Sequence, residues 1–322
     1  MQLVDQIFNI QTQTEFDQLA LEVYHFQRGH VPVYRQFVDL LGKPEPQSVN
    51  DIPFLPISFF KTHHIIAEGM QPQTMFKSSG TTGMERSQHL VADLSLYERS
   101  FLPTYEHFIG PLENQLIFAL LPNYVEQGES SLVYMVDHLV RATKHELSGF
   151  YLNHPETLLN AIDQGRKTGR KLVLFGVSYA LLDLAEQQVD LSDVQIIETG
   201  GMKGRRKEMT KEALHAQLKQ AFGCAFISSE YGMSELLSQA YSDKNGLFDL
   251  PPWMQVQLRD VNDPFALVDE GKTGGVNVID LANLYSCAFI ATQDLGKIVD
   301  GKLQLMGRFD HADLRGCNLL VQ

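Results

Sequence analysis

This chain has few cysteines, no long apolar run and no basic N-terminus. Its three cysteines, Cys224, Cys287 and Cys317, do not make a disulfide framework. No apolar run approaches the ~20 residues that are needed to cross a bilayer. Residues 1–6 have neither the basic region nor the apolar core of a signal peptide. We therefore expect a cytoplasmic protein without a membrane span.

Basic residues are also few relative to acidic ones. The 322 residues include 26 Lys and Arg against 39 Asp and Glu, a net charge of -13. General nucleic-acid binding needs a basic face, so this balance argues against it. It does not exclude one bound nucleotide, because a local loop can be electropositive. None of the eleven histidines pairs with Cys or Glu at a zinc-site spacing, so no zinc site is predicted.

The most informative feature that is present is a run of six small residues after Met75 and Phe76. Its glycines let the backbone turn and approach a ligand closely. Its hydroxyl and N–H groups can donate hydrogen bonds to a phosphate. It is not a Walker A loop, because no Gly-Lys-Ser/Thr follows at the required spacing. A surface linker has a similar composition, so the run alone leaves both interpretations open. Its members are Ser78, Ser79, Gly80, Thr81, Thr82 and Gly83.

Apolar runs alternate with helical patterns through the middle of the chain. We predict strands at residues 116–121, 171–176, 195–199 and 224–228, and helices at residues 131–144, 180–188 and 206–222. Strands that alternate with helices imply an α/β fold, with a mostly parallel sheet covered by helices. Ligands of such sheets bind at the carboxyl ends of the strands. Ser78, Gly200 and Tyr231 each lie just past an apolar run, where this rule places a site.

The pattern changes near Leu247. Shorter apolar runs, at residues 275–279 and 286–290, are separated by Gly, Asn and Asp. They predict a smaller β-rich subdomain. We divide the chain into an α/β nucleotide-binding region, residues 1–245, and a β-rich subdomain with a C-terminal tail, residues 246–322.

Three further features follow the loop in order. They are residues 231–235 (Tyr-Gly-Met-Ser-Glu), Asp294, and residues 307–310 (Gly-Arg-Phe-Asp). The ordered set resembles the adenylate-forming superfamily of acyl ligases. Within it the chain is most similar to the acyl-protein synthetases of bacterial luciferase operons, whose relatives include the phenylacetate–CoA ligases. Residues 198–206 and 315–318 support the resemblance, which runs through most of the chain.

The resemblance implies the large N-terminal-type domain of these enzymes and an ATP-dependent acid–thiol ligase that uses Mg²⁺. Such an enzyme activates a carboxylic acid, here a fatty or aryl acid, to acyl-AMP. It then passes the acyl group to its own cysteine thiol and on to a reductase or carrier partner. Two alternatives stay open, namely an acyl-CoA ligase of the phenylacetate type and a non-catalytic nucleotide-binding subunit.

The matched motifs also imply roles for single residues. The loop donates to the β- and γ-phosphates, Glu235 holds Mg²⁺, and Ser234 reaches a phosphate oxygen. Tyr231 stacks against adenine beside Gly232. The alternatives are that Glu235 is a solvated residue at a helix start and that Tyr231 is a core residue.

Asp294 would accept hydrogen bonds from the ribose hydroxyls, and Arg308 would donate to ribose or phosphate as a rigid fork. The alternatives are an ordinary Asp-Leu-Gly turn and a structural salt bridge. Lys203 follows a predicted strand in a Gly-rich turn, where it could supply a cation to the nucleotide. The alternative is a solvated charge beside Arg205 and Arg206.

Cys317 is the candidate acyl acceptor, because the resembled synthetases carry such a cysteine near the C-terminus. Arg315 would favour its thiolate, which is the nucleophile. The alternative is a small apolar residue docked in the core, since Leu319 and Leu320 follow. Full-length acyl ligases continue beyond the Gly-Arg-x-Asp motif into a mobile domain with a catalytic lysine. We expect this chain to lack that domain, which weighs against CoA-ligase activity.

Overall fold

One large sheet runs through the molecule. The computed structural model describes residues 2–78, 85–121, 128–152, 154–200, 206 and 209–309. Within these ranges twelve strands form one hydrogen-bonded sheet, and two more form a separate hairpin. Among the helices described there, none has both the length and the apolar character that a membrane span requires.

The helices and strands have the following bounds. The helices are α1 (Leu3–Ile7), α2 (Gln13–His30), α3 (Pro32–Leu41), α4 (Phe59–Thr62), α5 (Leu94–Phe108), α6 (Ser131–Ala142), α7 (Pro155–Gly165), α8 (Ser178–Ala185) and α9 (Lys211–Phe222). The strands are β1 (Leu55–Pro56), β2 (Thr74–Lys77), β3 (Gln88–Val91), β4 (Gln115–Leu120), β5 (Gly149–Phe150), β6 (Lys171–Val177), β7 (Val194–Thr199), β8 (Ser228–Tyr231), β9 (Ala240–Ser242), β10 (Phe248–Asp249), β11 (Met254–Arg259), β12 (Thr273–Asp280), β13 (Phe289–Val299) and β14 (Lys302–Arg308).

Half of the large sheet is parallel. Its strands lie in the order β5-β4-β6-β7-β8, and each pair of neighbours is parallel. Helices α6 and α7 pack against β4, and α8 packs against β6 and β7. Strand β4 is buried along its whole length, as expected for a strand covered on both faces. The predicted α/β fold with a mostly parallel, helix-covered sheet is confirmed.

The prediction was wrong for the fourth strand. We expected a strand at the apolar residues 224–228, but β8 begins at Ser228 and ends at Tyr231. Its sequence, Ser-Ser-Glu-Tyr, is mostly polar, yet all four residues are buried. The neighbours β7 and β9 pair with both of its edges. Partners from surrounding elements satisfy its polar side chains, so burial rather than hydrophobicity defines this strand.

Beyond β8 the sheet becomes antiparallel, apart from the short β1, which pairs in parallel with β13. Strands β9, β10, β14, β13, β12 and β11 follow in that order. This is the smaller β-rich part that the Gly- and Asn-rich texture predicted. It shares hydrogen bonds with the parallel half through the β8–β9 pair. The division of the chain at residue 246 stays a prediction.

A buried ion pair ties the centre of the parallel half to two helices. Glu198, near the end of β7, accepts a hydrogen bond from the Lys211 ammonium at 2.9 Å. It also accepts from the hydroxyls of Ser178, at 2.5 Å, and Ser229, at 3.0 Å. Burial alone would raise the pKa of Glu198, but Lys211, with hydrogen bonds from His215 and Ser178, lowers it to about 2. Glu198 is therefore a paired carboxylate that joins β7, β8, α8 and α9.

We expect Glu198→Gln to destabilise the fold by about 3–5 kcal/mol at pH 7, because it leaves the Lys211 ammonium without its buried partner. Since the folded pKa of Glu198 lies below its ordinary 4.5, its stabilisation is complete above pH 4.5. It is lost as the pH falls toward 2. Urea unfolding across this window should show a smaller loss for the variant than for the wild type.

Asp193→Asn provides the matched control. Asp193 pairs with Arg166 at 2.7 Å on the surface, where about half of the Asp193 side chain is exposed. Its loss should cost no more than about 1 kcal/mol. Equal costs for the two variants would contradict the anchoring role of Glu198.

Candidate functional site

Three side chains converge where the parallel and antiparallel halves of the sheet meet. The Tyr231 hydroxyl donates a 2.8 Å hydrogen bond to Asp294 Oδ2. Arg308 Nε donates a 3.0 Å hydrogen bond to Asp294 Oδ1. Tyr231 and Asp294 are buried, whereas 70% of the Arg308 side chain is exposed. Burial, reinforced by the charge of Asp294, raises the pKa of Tyr231 well above its ordinary value. This hydroxyl therefore stays a neutral donor.

The β13–β14 hairpin presents the Asp294–Arg308 pair. The two residues are direct partners in the antiparallel register. The ladder shifts register just after Asp294, between Leu295 and Gly296. Gly307 has a φ of 125°, a backbone conformation that residues with a side chain rarely adopt. The glycine before Arg308 thus allows the backbone conformation from which Arg308 reaches Asp294. Asp294 itself lies in strand β13 and not in a loop.

Glu235 approaches the same pair from the turn that follows β8. It is buried, and burial raises the pKa of its carboxyl above the ordinary value. A hydrogen bond from Ser87 and the positive charge of Arg308 act in the opposite direction. The carboxyl of Glu235 therefore lies near both Ser87 and the Asp294–Arg308 pair.

The base of the Ser/Thr/Gly loop adjoins Glu235. Residues 79–84, with the predicted site residues from Ser79 to Gly83, lie outside the described residues. Their flanks are described: Ser78 N donates to the carbonyl of Ser87 at 3.1 Å, and Ser87 N donates to Ser78 Oγ at 3.0 Å. Because Ser87 also bonds to Glu235, the loop starts and finishes beside that carboxyl.

Two cations stand at the same base. Lys77 Nζ and Arg86 Nη1 contact opposite oxygens of Glu129, at 2.5 and 3.1 Å. Arg86 Nε also donates to the carbonyl of Ser78 at 2.6 Å. Sequence reasoning missed these residues, although their positions on either side of the loop were a usable signal. They give the loop a local basic environment in an acidic protein.

Packing fixes the turn between β8 and β9. A Cβ at Gly232 would lie 2.5 Å from Glu230 Oε1 and 3.2 Å from Gln239 Cγ, so a side chain there would displace the Glu230 carboxylate. Asp280 is fully buried and accepts from the backbone N–H groups of Leu237 and Ser238, at 2.7 and 2.9 Å. The turn that carries Ser234 and Glu235 is therefore held at both ends.

A buried histidine joins this turn to the loop hairpin. His89 on β3 contacts the carbonyl oxygen of Ser234 through Nδ1, at 2.8 Å, and Asn283 Oδ1 through Nε2, at 3.0 Å. Asn283 Nδ2 in turn donates to the carbonyl of Glu235 at 2.8 Å. Sequence reasoning weighed the histidines only as metal ligands and missed this role. Its position six residues after Gly83 is the signal that the sequence offers.

Two predicted catalytic residues cannot be located. Lys203 and Cys317 both lie outside the described residues. Near the first, Arg206 is described, and it pairs with Asp183 of α8 and with Glu186, which directly follows that helix. This neighbour is thus a surface ion pair, whereas the roles of Lys203 and Cys317 stay predictions.

The donor set suits a nucleotide and a hard cation. Within the described ranges no three His, Cys, Asp or Glu side chains are grouped to hold a metal ion. Mg²⁺ is commonly held by one or two carboxylates together with substrate phosphates, and Glu235 supplies one carboxylate. Each oxygen of Asp294 keeps acceptor capacity after its bond to Tyr231 or Arg308. Asp294 can therefore accept hydrogen bonds from a pair of vicinal hydroxyls.

Comparisons with known proteins bear on the fold. No protein-family model and no curated protein matches the sequence. Solved structures do match. 2-Hydroxyisobutyryl-CoA ligase, in complex with 2-HIB-AMP and CoA, has a TM-score of 0.68 at 13% identity, over 94% of this chain and 70% of that one.

Two other matches are more partial. MatB from Rhodopseudomonas palustris has a TM-score of 0.53 at 16% identity, over 73% of this chain and 47% of that one. A luciferase-like enzyme from the mealworm Zophobas morio has a TM-score of 0.51 at 15% identity, over 73% and 57%. The chain thus spans about half of the MatB chain. The chain therefore shares its fold with parts of these three enzymes.

Proposed function

We propose that this chain binds Mg·ATP and a carboxylic acid and joins them into acyl-AMP with release of pyrophosphate. The observation that carries the proposal is the convergence of Tyr231 and Arg308 on Asp294, next to the buried Glu235. This group lies beside the base of a Ser/Thr/Gly loop, in a fold shared with enzymes bound to an acyl-AMP. The ordered sequence motifs supply the same four residues.

Asp294 would hold the ribose. Its carboxylate is pinned by a phenol on one oxygen and a guanidinium on the other, so its orientation is set before a ligand arrives. Preorganised acceptors lose little freedom on binding. The exposed part of Arg308 would then face the phosphates, where its remaining N–H groups can donate.

Glu235 would hold Mg²⁺ against the phosphates, where the ion neutralises charge. The loop after Ser78 would donate hydrogen bonds to the β- and γ-phosphates. In the reaction a carboxylate oxygen attacks the α-phosphorus, and the bond from that phosphorus to the bridging oxygen breaks. The electron pair leaves with pyrophosphate. The protein's part is to align the reactants and to stabilise the transferred charge.

Cys317 would accept the acyl group in a second step. Its thiolate would attack the acyl carbon of the adenylate and release AMP, forming a thioester that passes to a partner protein. The rival acceptor is CoA, which is bound in the ligase of similar fold. A non-catalytic nucleotide-binding subunit is the alternative if no acid is activated.

Mg·ATP should raise the melting temperature of the protein by a few degrees at 100 times its dissociation constant. Such binding stabilises by ~2.7 kcal/mol. In Glu235→Gln the part of this shift that EDTA abolishes should disappear, because the variant loses the carboxylate for Mg²⁺. Pyrophosphate release should fall by about 10²-fold or more. Glu22→Gln, on the exposed face of α2, is the control. Pyrophosphate release and an EDTA-sensitive thermal shift at wild-type levels in Glu235→Gln would refute the metal role.

The proposed role of Asp294 predicts that the protein prefers nucleotides with ribose hydroxyls. The wild type should bind ATP at least tenfold tighter than dideoxy-ATP, because hydrogen bonds to a charged acceptor contribute about 1.5–3 kcal/mol. Asp294→Asn should bind both nucleotides weakly and about equally. Fluorescence titration with both ligands measures this. A variant that keeps the full preference would exclude Asp294 as the ribose ligand.

Cys317→Ser should separate the two steps. The variant should still release pyrophosphate with ATP and acid, since the nucleotide groups are intact. It should carry no hydroxylamine-labile acyl group by mass spectrometry. Cys224→Ser, at a buried cysteine, should keep the labile group even if it is less stable. A labile acyl group that persists on Cys317→Ser would contradict the acceptor role of Cys317.

A further inference from the structure

The opposite face of β8 carries a second polar cluster. Side chains alternate along a strand, so Tyr231 points toward Asp294 while Glu230 points to the other face. Glu230 is 6% exposed, and Thr199 at the end of β7 donates a hydrogen bond to its Oε2. Its Oε1 lies beside Gly232, within the turn that leads to Glu235. The carboxyl of Glu230 is thus buried one residue away from the proposed nucleotide site.

The cation described near Glu230, Lys211, pairs with another carboxylate. The charge of Lys211 is felt at Glu230, but its ammonium forms the 2.9 Å ion pair with Glu198. A second carboxylate therefore sits in the interior beside a pair that is already balanced. Burial raises the pKa of Glu230 to about 7. An added positive charge on this face would favour the ionised form.

Two more polar atoms on this face lack partners. Gln239 Oε1 and the Tyr241 hydroxyl are buried and have no hydrogen-bond partner in the described part of the chain. Both residues are 2% exposed. Tyr241 pairs with Glu230 across β8 and β9, and Gln239 Cγ lies 3.2 Å from the position of a Cβ at Gly232. Buried polar groups are rarely left unpaired in folded proteins, so both atoms are available to a ligand that enters this face.

We propose that Glu230, Gln239 and Tyr241 bind an ammonium group of the carboxylic acid, so that the acid activated is an amino acid or another amino-substituted carboxylate. This rests on the proposed acyl-AMP function and names its substrate class. An ammonium has three N–H donors and no acceptor, which matches three acceptor groups of which one is anionic. A hydroxyl would supply one donor and no charge.

The proposal departs from the fatty or aryl acid that the sequence resemblance implies. An alkyl or phenyl group against this cluster would leave the Gln239 amide oxygen and the Tyr241 phenol without partners beside the buried carboxyl of Glu230. Sites built to hydrogen-bond a substrate reject analogues that lack the matching group by 10⁴-fold or more in the best cases. The cluster therefore lowers the affinity for apolar acids and raises the affinity for amino acids.

Hydrolysis-resistant acyl-sulfamoyladenosines provide the test. The alanyl, β-alanyl and γ-aminobutyryl compounds each have a partner in which methyl replaces ammonium, namely the isobutyryl, butyryl and valeryl compounds. Wild-type protein should bind at least one ammonium compound about 10²-fold tighter than its partner. Glu230→Gln should reduce that ratio to about tenfold or less, while its affinity for the methyl partner stays within about threefold. Glu22→Gln should leave both unchanged.

Tyr241→Phe protects the test against misfolding of Glu230→Gln. It removes only a buried hydroxyl that has no partner in the described chain, so the melting temperature should hold or rise. Its preference for the ammonium compound should fall several-fold. Equal binding of ammonium and methyl partners by the wild type would overturn the proposal and leave acyl-AMP formation standing. Failure of every compound to bind would refute the proposed function and this inference with it.

Discussion

The burial of a polar strand is the constraint on which the rest of the structure depends. Strand β8 has parallel pairing on one side and antiparallel pairing on the other, so it stands where the two halves of the sheet meet. All four of its side chains carry a hydroxyl or a carboxyl, and all are buried. Each must find partners, because an unpaired buried polar group costs about 1–3 kcal/mol. The surrounding elements are arranged to supply them.

The alternation of side chains along β8 places different polar contacts on the two faces of the sheet. Ser229 and Tyr231 face one side, where they meet Glu198 and Asp294. Glu230 faces the other, with Thr199. A four-residue strand thus contributes to an ion pair, to the candidate nucleotide site and to a separate acceptor cluster. Substituting one residue of β8 should therefore affect its own face first.

The sequence predicted the elements whose signal is local. Strands β4 and β6 are almost continuous apolar runs, and β7 has the apolar pair Ile196 and Ile197 at its centre, so hydrophobicity places all three. Strand β8 was misplaced because its partners are distant in sequence: Ser229 needs Glu198, and Tyr231 needs Asp294. The same reason hid the link between His89 and Asn283, which are 194 residues apart. The order of the motifs made Asp294 and Arg308 candidate site residues, but their contact depends on the hairpin register.

The link from His89 to Ser234, Asn283 and Glu235 has a consequence for the native-state fluctuations of this region. Its hydrogen bonds connect the hairpin below the Ser/Thr/Gly loop, the turn after β8 and the segment before β13. None of the three can open without breaking a buried bond to another. Cooperative units of this kind exchange their amide hydrogens together. Amides in all three segments should therefore share one opening free energy, and a molecule that orders any one of them will slow exchange in the other two.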